Sequence, residues 1–205
     1  MISVSGLTWA RRHKREFDAV LTIEDPSHHT KLLRFHHVPH PAHLILRFYD
    51  LDYPVPEPYH QPWMTLATRE DIEAALRFAQ DRAKLLVHCH AGVSRSTAVA
   101  LAILTDRSGD PDRALTSLIE MRPIAVPNRH IVGLADDILG SAGRLLSTFD
   151  AWDQSVMTNA HRRRLCRLAH FYEFGVPLSR SSEEHTMHKG TGETSGRVSN
   201  LGGAL

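Results

Sequence analysis

The sequence predicts an α/β domain with a short, mostly parallel central sheet flanked by helices. Two observations predict this class. Short apolar and β-branched runs occur along the chain together with longer stretches of helical periodicity. In addition, the run "KLLVHC" is almost wholly apolar, which is typical of a strand in a parallel sheet covered on both faces. The 205 residues suffice for one domain with a full core, and we expect it to occupy residues 1–175.

Three strands are predicted ahead of that apolar run. The first two are "MISVSGL" and "FDAVLTIED", short β-branched runs that each end in a turn signal. The third is "HLILRFYDLDY", residues 43–53, in which apolar side chains alternate. Four prolines between residues 54 and 62 then exclude regular structure, so a loop should follow.

Four helices are predicted by their start signals and periodicity. "TREDIEAALRFAQDRA" opens with Thr68 as N-cap, and the largely apolar "RSTAVALAILTDRSG" should be a buried helix that ends near Gly109. "DPDRALTSLIEMR" begins with Asp110 as N-cap and Pro111 at the first helical position. Asn128 is the expected cap of "RHIVGLADDIL".

The C-terminal part divides into two segments. Residues 143–172 are expected to be helical and carry the basic cluster "HRRRLCR", residues 161–167. We interpret this cluster as a solvated helix face, with contact to acidic lipid or a phosphorylated partner as the alternative. Residues 176–205 are rich in Ser, Gly and Thr and poor in apolar side chains, so we expect a disordered tail.

Composition limits the partners and the compartment. A net charge of +1 gives no electrostatic reason to expect nucleic acid. No apolar run matches a signal peptide or a membrane span, so we expect a cytoplasmic protein without a membrane partner. The two cysteines, Cys89 and Cys166, should be reduced there, which leaves a thiol available for chemistry.

The segment "LLVHCHAGVSRSTAVA" places Cys89 between an apolar strand and a buried helix. The first N–H groups of such a helix are unpaired and attract an anion. Gly92 lets the intervening loop curl so that its N–H groups point inward, and Arg95 adds a planar fork of donors that fits two phosphate oxygens. The sequence therefore predicts a site for a tetrahedral oxyanion.

Cys89 should lie at the floor of that loop. A helix N-terminus and a guanidinium favour the ionised thiol, which is a nucleophile. Ser96 directly follows Arg95 and can donate a hydrogen bond to the sulfur, which helps the sulfur to leave from a phosphorylated intermediate.

The stretch "HCHAGVSRS" resembles the HCx5R(S/T) signature of cysteine-dependent protein tyrosine and dual-specificity phosphatases, most of all the dual-specificity form. "MRPIAVPNRHIVGLADDIL" is similar to the segment with a Pro-Asn pair in these enzymes, and residues 1 to about 160 resemble a bacterial branch of small predicted tyrosine phosphatases. The resemblance implies hydrolysis of a phosphorylated protein or small phosphate ester without a metal or cofactor. It implies a catalytic role for Cys89, Arg95 and Ser96, and phosphate binding by His90, Ala91, Gly92, Val93, Ser94 and Arg95.

The same mechanism requires an aspartate as general acid. Asp50 and Asp52 in "RFYDLDYPVPEP" are the candidates. We favour Asp50, because "FYDL" resembles a pattern of the bacterial branch, while Asp52 stays open because it lies nearer the loop.

Three other functions are open at this stage. The same loop would serve a catalytically silent phosphate-binding module, a phosphatase of small molecules, or redox and sulfur chemistry of the arsenate-reductase or rhodanese kind. A metal site is a further possibility in "RFHHVPHPAH", which contains His36, His37, His40 and His43. Their irregular spacing without cysteine or carboxylate partners favours a solvated loop.

Overall fold

The computed structural model describes residues 1–26, 40–53, 60, 62–163 and 165. Its strands, in chain order, are β1 (Ile2–Gly6), β2 (Ala19–Glu24), β3 (His43–Arg47) and β4 (Leu85–Cys89). Its helices are α1 (Leu7–His13), α2 (Arg69–Ala79), α3 (Arg95–Ser108), α4 (Pro111–Met121), α5 (Arg129–Ile138) and α6 (Arg144–Ser155), with a 3-10 turn at Lys14–Glu16.

The four described strands form one parallel sheet in the order β1-β4-β2-β3. The predicted α/β class and its parallel sheet are confirmed. All five residues of β4 are buried, as the apolar run predicted, because β4 is an inner strand and apolar clusters pack on both faces of the sheet. The carboxyl ends of parallel strands share one edge of the sheet, and the segments that follow β2, β3 and β4 therefore come together there.

Helices cover both faces of the sheet. On one face α3 is buried over most of its length and forms the main core with α2, α4, α5 and α6. On the other face, Leu7 and Ala10 of α1 pack with Phe17 against Val20 and Leu86. The sheet is thus the middle of three layers.

Several helix boundaries agree with the predicted caps. Thr68 forms a capping box with Asp71, and Gly109 ends α3 in the left-handed conformation. The side chain of Asp110 accepts two N–H groups of α4, and that of Asn128 accepts the N–H of Ile131. The predicted C-terminal helix is interrupted at Val156, after which residues 157–163 are helical again.

The structure differs from the sequence-based assignment in two further places. The strand predicted over residues 43–53 ends at Arg47 in the structure. From Phe48 onward the backbone forms hydrogen bonds outside the sheet, because Phe48 O accepts from Arg95 and Tyr49 N–H donates to Thr65 O. Helix α1 was not predicted, because its seven residues are too few to show a clear helical period.

Some predictions fall on residues outside the described ranges. They concern the prolines at 54, 56 and 58, the histidines at 36 and 37, Cys166 and the tail over residues 176–205. Among the described residues, no helix combines the length and the apolar character of a membrane span.

Candidate phosphate-binding site

A tight loop of residues 90–94 joins the end of β4 to the start of α3. Gly92 adopts a φ of 70°, in the left-handed region. A Cβ at this position would lie 2.4 Å from the backbone N of Gly6 and 2.4 Å from the backbone C of Ser5. Glycine is therefore required both by its conformation and by the close approach of β1.

The sulfur of Cys89 lies inside this loop, and the residue is only 3% exposed. The N–H of Gly92 donates to Sγ at 3.3 Å. Ser96 Oγ, from the first turn of α3, lies 3.2 Å from Sγ. The structure thus brings Ser96 to the sulfur as the sequence predicted, and it adds a backbone donor.

The other side of the loop is held by contacts to its carbonyl oxygens. Arg122 Nε donates to Gly92 O at 2.8 Å and Val126 N–H donates to Val93 O at 2.8 Å. Thr97 Oγ1 also donates to Val93 O, at 2.6 Å. Because C=O and the following N–H point in opposite directions across a trans peptide, anchoring these carbonyls outward turns the next N–H groups inward.

The guanidinium of Arg95 is buried beside the loop. Its Nη1 donates to Phe48 O and to Asp25 Oδ1, both at 2.7 Å. Its Nε is also buried and makes no hydrogen bond within the described part of the chain. Burial alone would lower the pKa of Arg95, but the carboxylates of Asp50 and Asp25 raise it above its ordinary value, so the side chain is cationic.

Asp25 was not among the sequence candidates. It follows β2 directly and ion-pairs with Arg95 through 2.7 Å. The only sequence signal was its place at a strand end before Pro26, which equally indicates a turn. Its partner is 70 residues away in sequence, and the pairing depends on the strand order.

Asp50 lies at the rim of the loop. Its Oδ1 accepts from Ser94 Oγ at 2.7 Å and from Asn128 Nδ2 at 2.9 Å. Its Oδ2 is 3.9 Å from Arg95 Nε. Ser94, the residue before α3, therefore uses its hydroxyl on Asp50 and does not cap the helix.

Asp52 points to a different neighbour. Its Oδ2 lies 3.7 Å from Arg163 Nη1, in the helical stretch after α6. Arg163 Nη2 in turn donates to Asp153 Oδ1 at 2.6 Å. Of the two candidate acids, the structure brings only Asp50 into contact with Ser94 and Arg95, while Asp52 belongs to a contact between the loop after β3 and the C-terminal helices.

A cavity of about 520 Å³ adjoins the outer side of the loop at His90 and Ala91. Its walls combine hydroxyl groups of β1 and α1 with Trp9, Met121 and Arg122. Both loop residues are exposed. Neither Cys89 nor Arg95 is among the residues that line this cavity.

The two described histidines of the His-rich stretch, His40 and His43, contact backbone carbonyl oxygens or a hydroxyl group. The ring of His40 contacts Ala42 O and Phe17 O at 2.9 Å each, and His43 Nε2 lies 2.8 Å from Thr22 Oγ1. His88 is buried, and burial together with the nearby charge of His43 lowers its pKa to about 4. Within the described ranges no group of three metal-binding side chains occurs.

No protein-family model and no curated protein matches the sequence. Solved structures do resemble the chain. The PTP-2 phosphatase of Cydia pomonella has a TM-score of 0.48 and 21% identity, over 66% of this chain and 84% of that one. PTPMT1 has a TM-score of 0.48 and 16% identity, over 70% and 94%. Human DUSP28 has a TM-score of 0.45 and 20% identity, over 69% and 92%. At identities and TM-scores this low, function has to be argued from the site's own residues.

Proposed function

We propose that this protein is a phosphomonoester hydrolase of the protein tyrosine or dual-specificity phosphatase kind, acting through a phosphocysteine on Cys89. One observation carries the proposal. A buried sulfur with two hydrogen-bonding neighbours, the N–H of Gly92 and Ser96 Oγ, lies in the tight loop after β4, beside a buried arginine whose Nε has no hydrogen-bond partner among the described residues. Donors arranged in this way suit the equatorial oxygens of a phosphoryl group.

In the first half-reaction the thiolate of Cys89 attacks phosphorus, and the bond from phosphorus to the substrate oxygen breaks. Arg95 and the N–H groups of residues 90–94 bind the three phosphoryl oxygens throughout. The leaving oxygen takes a proton from a carboxylic acid, a role that we assign to Asp50 because of its place at the rim. The products are the free alcohol or phenol and a phosphocysteine.

In the second half-reaction water attacks the phosphocysteine. Asp50, now a carboxylate, takes the proton of that water. The sulfur leaves as a thiolate, which Ser96 Oγ and the N–H of Gly92 stabilise from 3.2 Å and 3.3 Å. Inorganic phosphate is released, and the residues return to their starting forms without any metal.

For the substrate we propose a phosphorylated protein side chain or a small phosphate ester. The loop's variable residues, His90, Ala91, Val93 and Ser94, include no lysine, which disfavours polyanionic inositol phosphates. Neither Cys89 nor Arg95 lines the cavity at His90 and Ala91, so this cavity does not restrict the organic group of the substrate. Phosphotyrosine and phosphoserine or phosphothreonine both remain within this class.

Turnover of p-nitrophenyl phosphate and a phosphopeptide panel tests the proposal. Wild type should hydrolyse the ester in the presence of a chelator, and Cys89→Ser should reduce kcat by at least about a thousandfold. Cys166→Ser is the matched control for loss of a thiol and should keep full activity. Activity that survives Cys89→Ser would refute the assignment.

The same assay separates the alternatives. If phosphate or tungstate stabilises the fold and no ester is turned over at any pH, the protein is a silent phosphate-binding module. If reaction with an oxyanion yields a disulfide or persulfide at Cys89, the chemistry is redox or sulfur transfer. Hydrolysis of metabolite esters without hydrolysis of phosphopeptides would indicate a small-molecule phosphatase.

A further inference from the structure

A row of polar side chains crosses the sheet just before the strands reach the loop. Thr22 of β2 lies directly beside His88 of β4 in the register. On β3, the strand on the other side of β2, Ile45 is the register partner of Thr22. His43 precedes Ile45 by two residues, so its side chain lies on the same face of the sheet as that of Thr22. The row runs from the half-buried edge strand β3 to the residue that precedes Cys89.

These side chains are joined by hydrogen-bonding distances. Thr22 Oγ1 is 2.8 Å from Nε2 of His43 and 2.8 Å from Nε2 of His88. The other ring nitrogen of His88, Nδ1, lies 3.4 Å from the carbonyl oxygen of Cys89. The chain of contacts therefore runs from His43 to the backbone of the proposed nucleophile.

The number of protons that each group can donate determines the direction of these three hydrogen bonds. A carbonyl oxygen only accepts, so the proton of the neutral His88 ring lies on Nδ1 and donates to Cys89 O. His88 Nε2 must then accept, and it takes the single hydroxyl proton of Thr22. Thr22 Oγ1 has only lone pairs left for its other contact, so His43 Nε2 donates to it. All three hydrogen bonds point their positive ends towards Cys89.

We propose that Thr22 and His43 are positioning residues for Cys89, which hold His88 in its Nδ1–H form so that this N–H polarises the Cys89 carbonyl. The aligned bonds favour negative charge at the end of β4, where the sulfur must ionise. The consequence for catalysis rests on the proposed function, but the effect on the sulfur itself does not.

Burial has the largest effect on the pKa values of the two histidines in the row, and nearby charged groups add to it. Arg11 of α1 acts on His88, and His40, Lys14 of the 3-10 turn and Glu24 of β2 act on His43. Burial, followed by the charges of His40 and Lys14, lowers the pKa of His43, against an opposing effect of Glu24. His43 donates through Nε2 in both its neutral and its protonated form, so the direction of the chain holds on either side of its titration.

The test measures alkylation of Cys89 by iodoacetamide against pH, in a Cys166→Ser background so that one thiol reports. Thr22→Val keeps the shape of the side chain and removes the hydroxyl. Thr22→Val should raise the pH at which alkylation is half-maximal by about 0.5 to 1 unit. Below that pH, alkylation should therefore be about threefold to tenfold slower than in wild type. Thr22→Ser restores the hydroxyl and should restore the wild-type midpoint.

Two further variants complete the design. Thr105→Val removes another buried threonine hydroxyl, bonded to Leu101 O in α3, and should leave the midpoint unchanged. His43→Leu, at a half-buried position, should raise the alkylation midpoint as Thr22→Val does. If Thr22→Val fails to fold, the His43→Leu midpoint tests the proposal instead. The nitrogen chemical shifts of His88 should report the Nδ1–H form in wild type.

An unchanged midpoint in folded Thr22→Val or in His43→Leu would overturn the proposal, and so would a Thr22→Ser midpoint equal to that of Thr22→Val. These results are distinct from failure of the proposed function. A chain that turns over no ester and still shows the predicted midpoint shifts would retain the positioning role and lose the hydrolase assignment. A chain that hydrolyses esters but shows unshifted midpoints would retain the hydrolase assignment and lose the positioning role.

Discussion

Arg95 is the residue on which the polar contacts of the site converge. Its Nη1 is held by Asp25 and by Phe48 O, and this leaves Nε facing the side on which Asp50 lies. A guanidinium anchored through one end can present Nε and Nη2 as a parallel pair of donors to two oxygens of one phosphate. Asp25 therefore orients the arginine, while Asp50, the proposed general acid, lies near its Nε.

Asp50→Asn should separate the two acid candidates. We expect it to lower kcat for an ester with a poor leaving group by roughly a hundredfold to ten-thousandfold, because the amide cannot supply a proton. For p-nitrophenyl phosphate, whose leaving group needs little protonation, the loss should be smaller. Asp52→Asn is the matched control and should lose less than about threefold in kcat, because its partner is Arg163. The reverse ranking of the two variants would assign the acid to Asp52.

The residues of this site differ in how well the sequence predicts them. Cys89, Gly92, Arg95 and Ser96 lie within eight consecutive residues, where one strand, one turn and one helix start fix their relative positions. Asp25 and Asn128 reach the site from segments distant in sequence. The strand order brings Asp25 there and leaves no local pattern, whereas the Pro-Asn pair that contains Asn128 was singled out by resemblance. Asp50 was favoured as the candidate acid by resemblance, and its contacts with Ser94 and Asn128 were not predicted.

Hydrogen bonds to its carbonyl oxygens hold the loop between β4 and α3 in place. Arg122 and the segment before α5 hold Gly92 O and Val93 O. On the β1 side Leu7 N–H donates to His90 O at 3.0 Å. The helix caps that frame these segments were predicted because they are local. Helix α1, which supplies that N–H of Leu7, was too short for its period to show.

Gly92→Ala tests the close approach of the loop to β1. The new Cβ would overlap the backbone of Ser5 and Gly6, so the loop must shift as well as bear the left-handed strain. We expect loss of phosphate binding, measured by thermal shift or calorimetry, and an unfolding free energy lowered by more than about 2 kcal/mol.

Gly109→Ala is the matched control for that prediction. Its φ of 66° is also left-handed, but no atom lies within 4 Å of the added Cβ. We expect a loss of about 1 to 2 kcal/mol in unfolding free energy and unchanged phosphate binding. Equal effects of the two alanines on phosphate binding would show that crowding against β1 does not shape the loop.

The candidate site lies at the carboxyl edge of a sheet that has an apolar cluster on each face, with the polar row of His43, Thr22 and His88 on one of these faces. The parallel order β1-β4-β2-β3 puts the ends of β2, β3 and β4 side by side, and it is this order that joins Asp25, Asp50 and Cys89. The sequence predicts the class of such a sheet from its apolar strand. The order of the strands follows from packing over the whole chain, so no single segment reveals it.

Burial of the neutral His88 ring makes the whole fold sensitive to acid. Its pKa is lowered in the folded protein to about 4 from an ordinary 6.5, so between these values the unfolded chain binds the proton and the folded one does not. The unfolding free energy should therefore fall as pH decreases from about 6.5 to about 4, by up to about 3 kcal/mol from this group. Urea unfolding at several pH values measures the slope.

The His88→Gln variant isolates that contribution. Its unfolding free energy should depend less on pH between 6.5 and 4 than that of wild type. Parallel pH curves for wild type and His88→Gln would contradict a neutral buried His88.

The proposed covalent step on Cys89 is tested directly by acid quench of the reaction with p-nitrophenyl phosphate, followed by mass spectrometry of the Cys89 peptide. Asp50→Asn should be used beside wild type, because removal of the base slows the attack of water and lets the intermediate accumulate. We predict a phosphate adduct on Cys89 that forms at the rate of the p-nitrophenol burst and is absent in Cys89→Ser. Steady release of p-nitrophenol with no adduct on Cys89 in either protein would contradict nucleophilic catalysis by this residue.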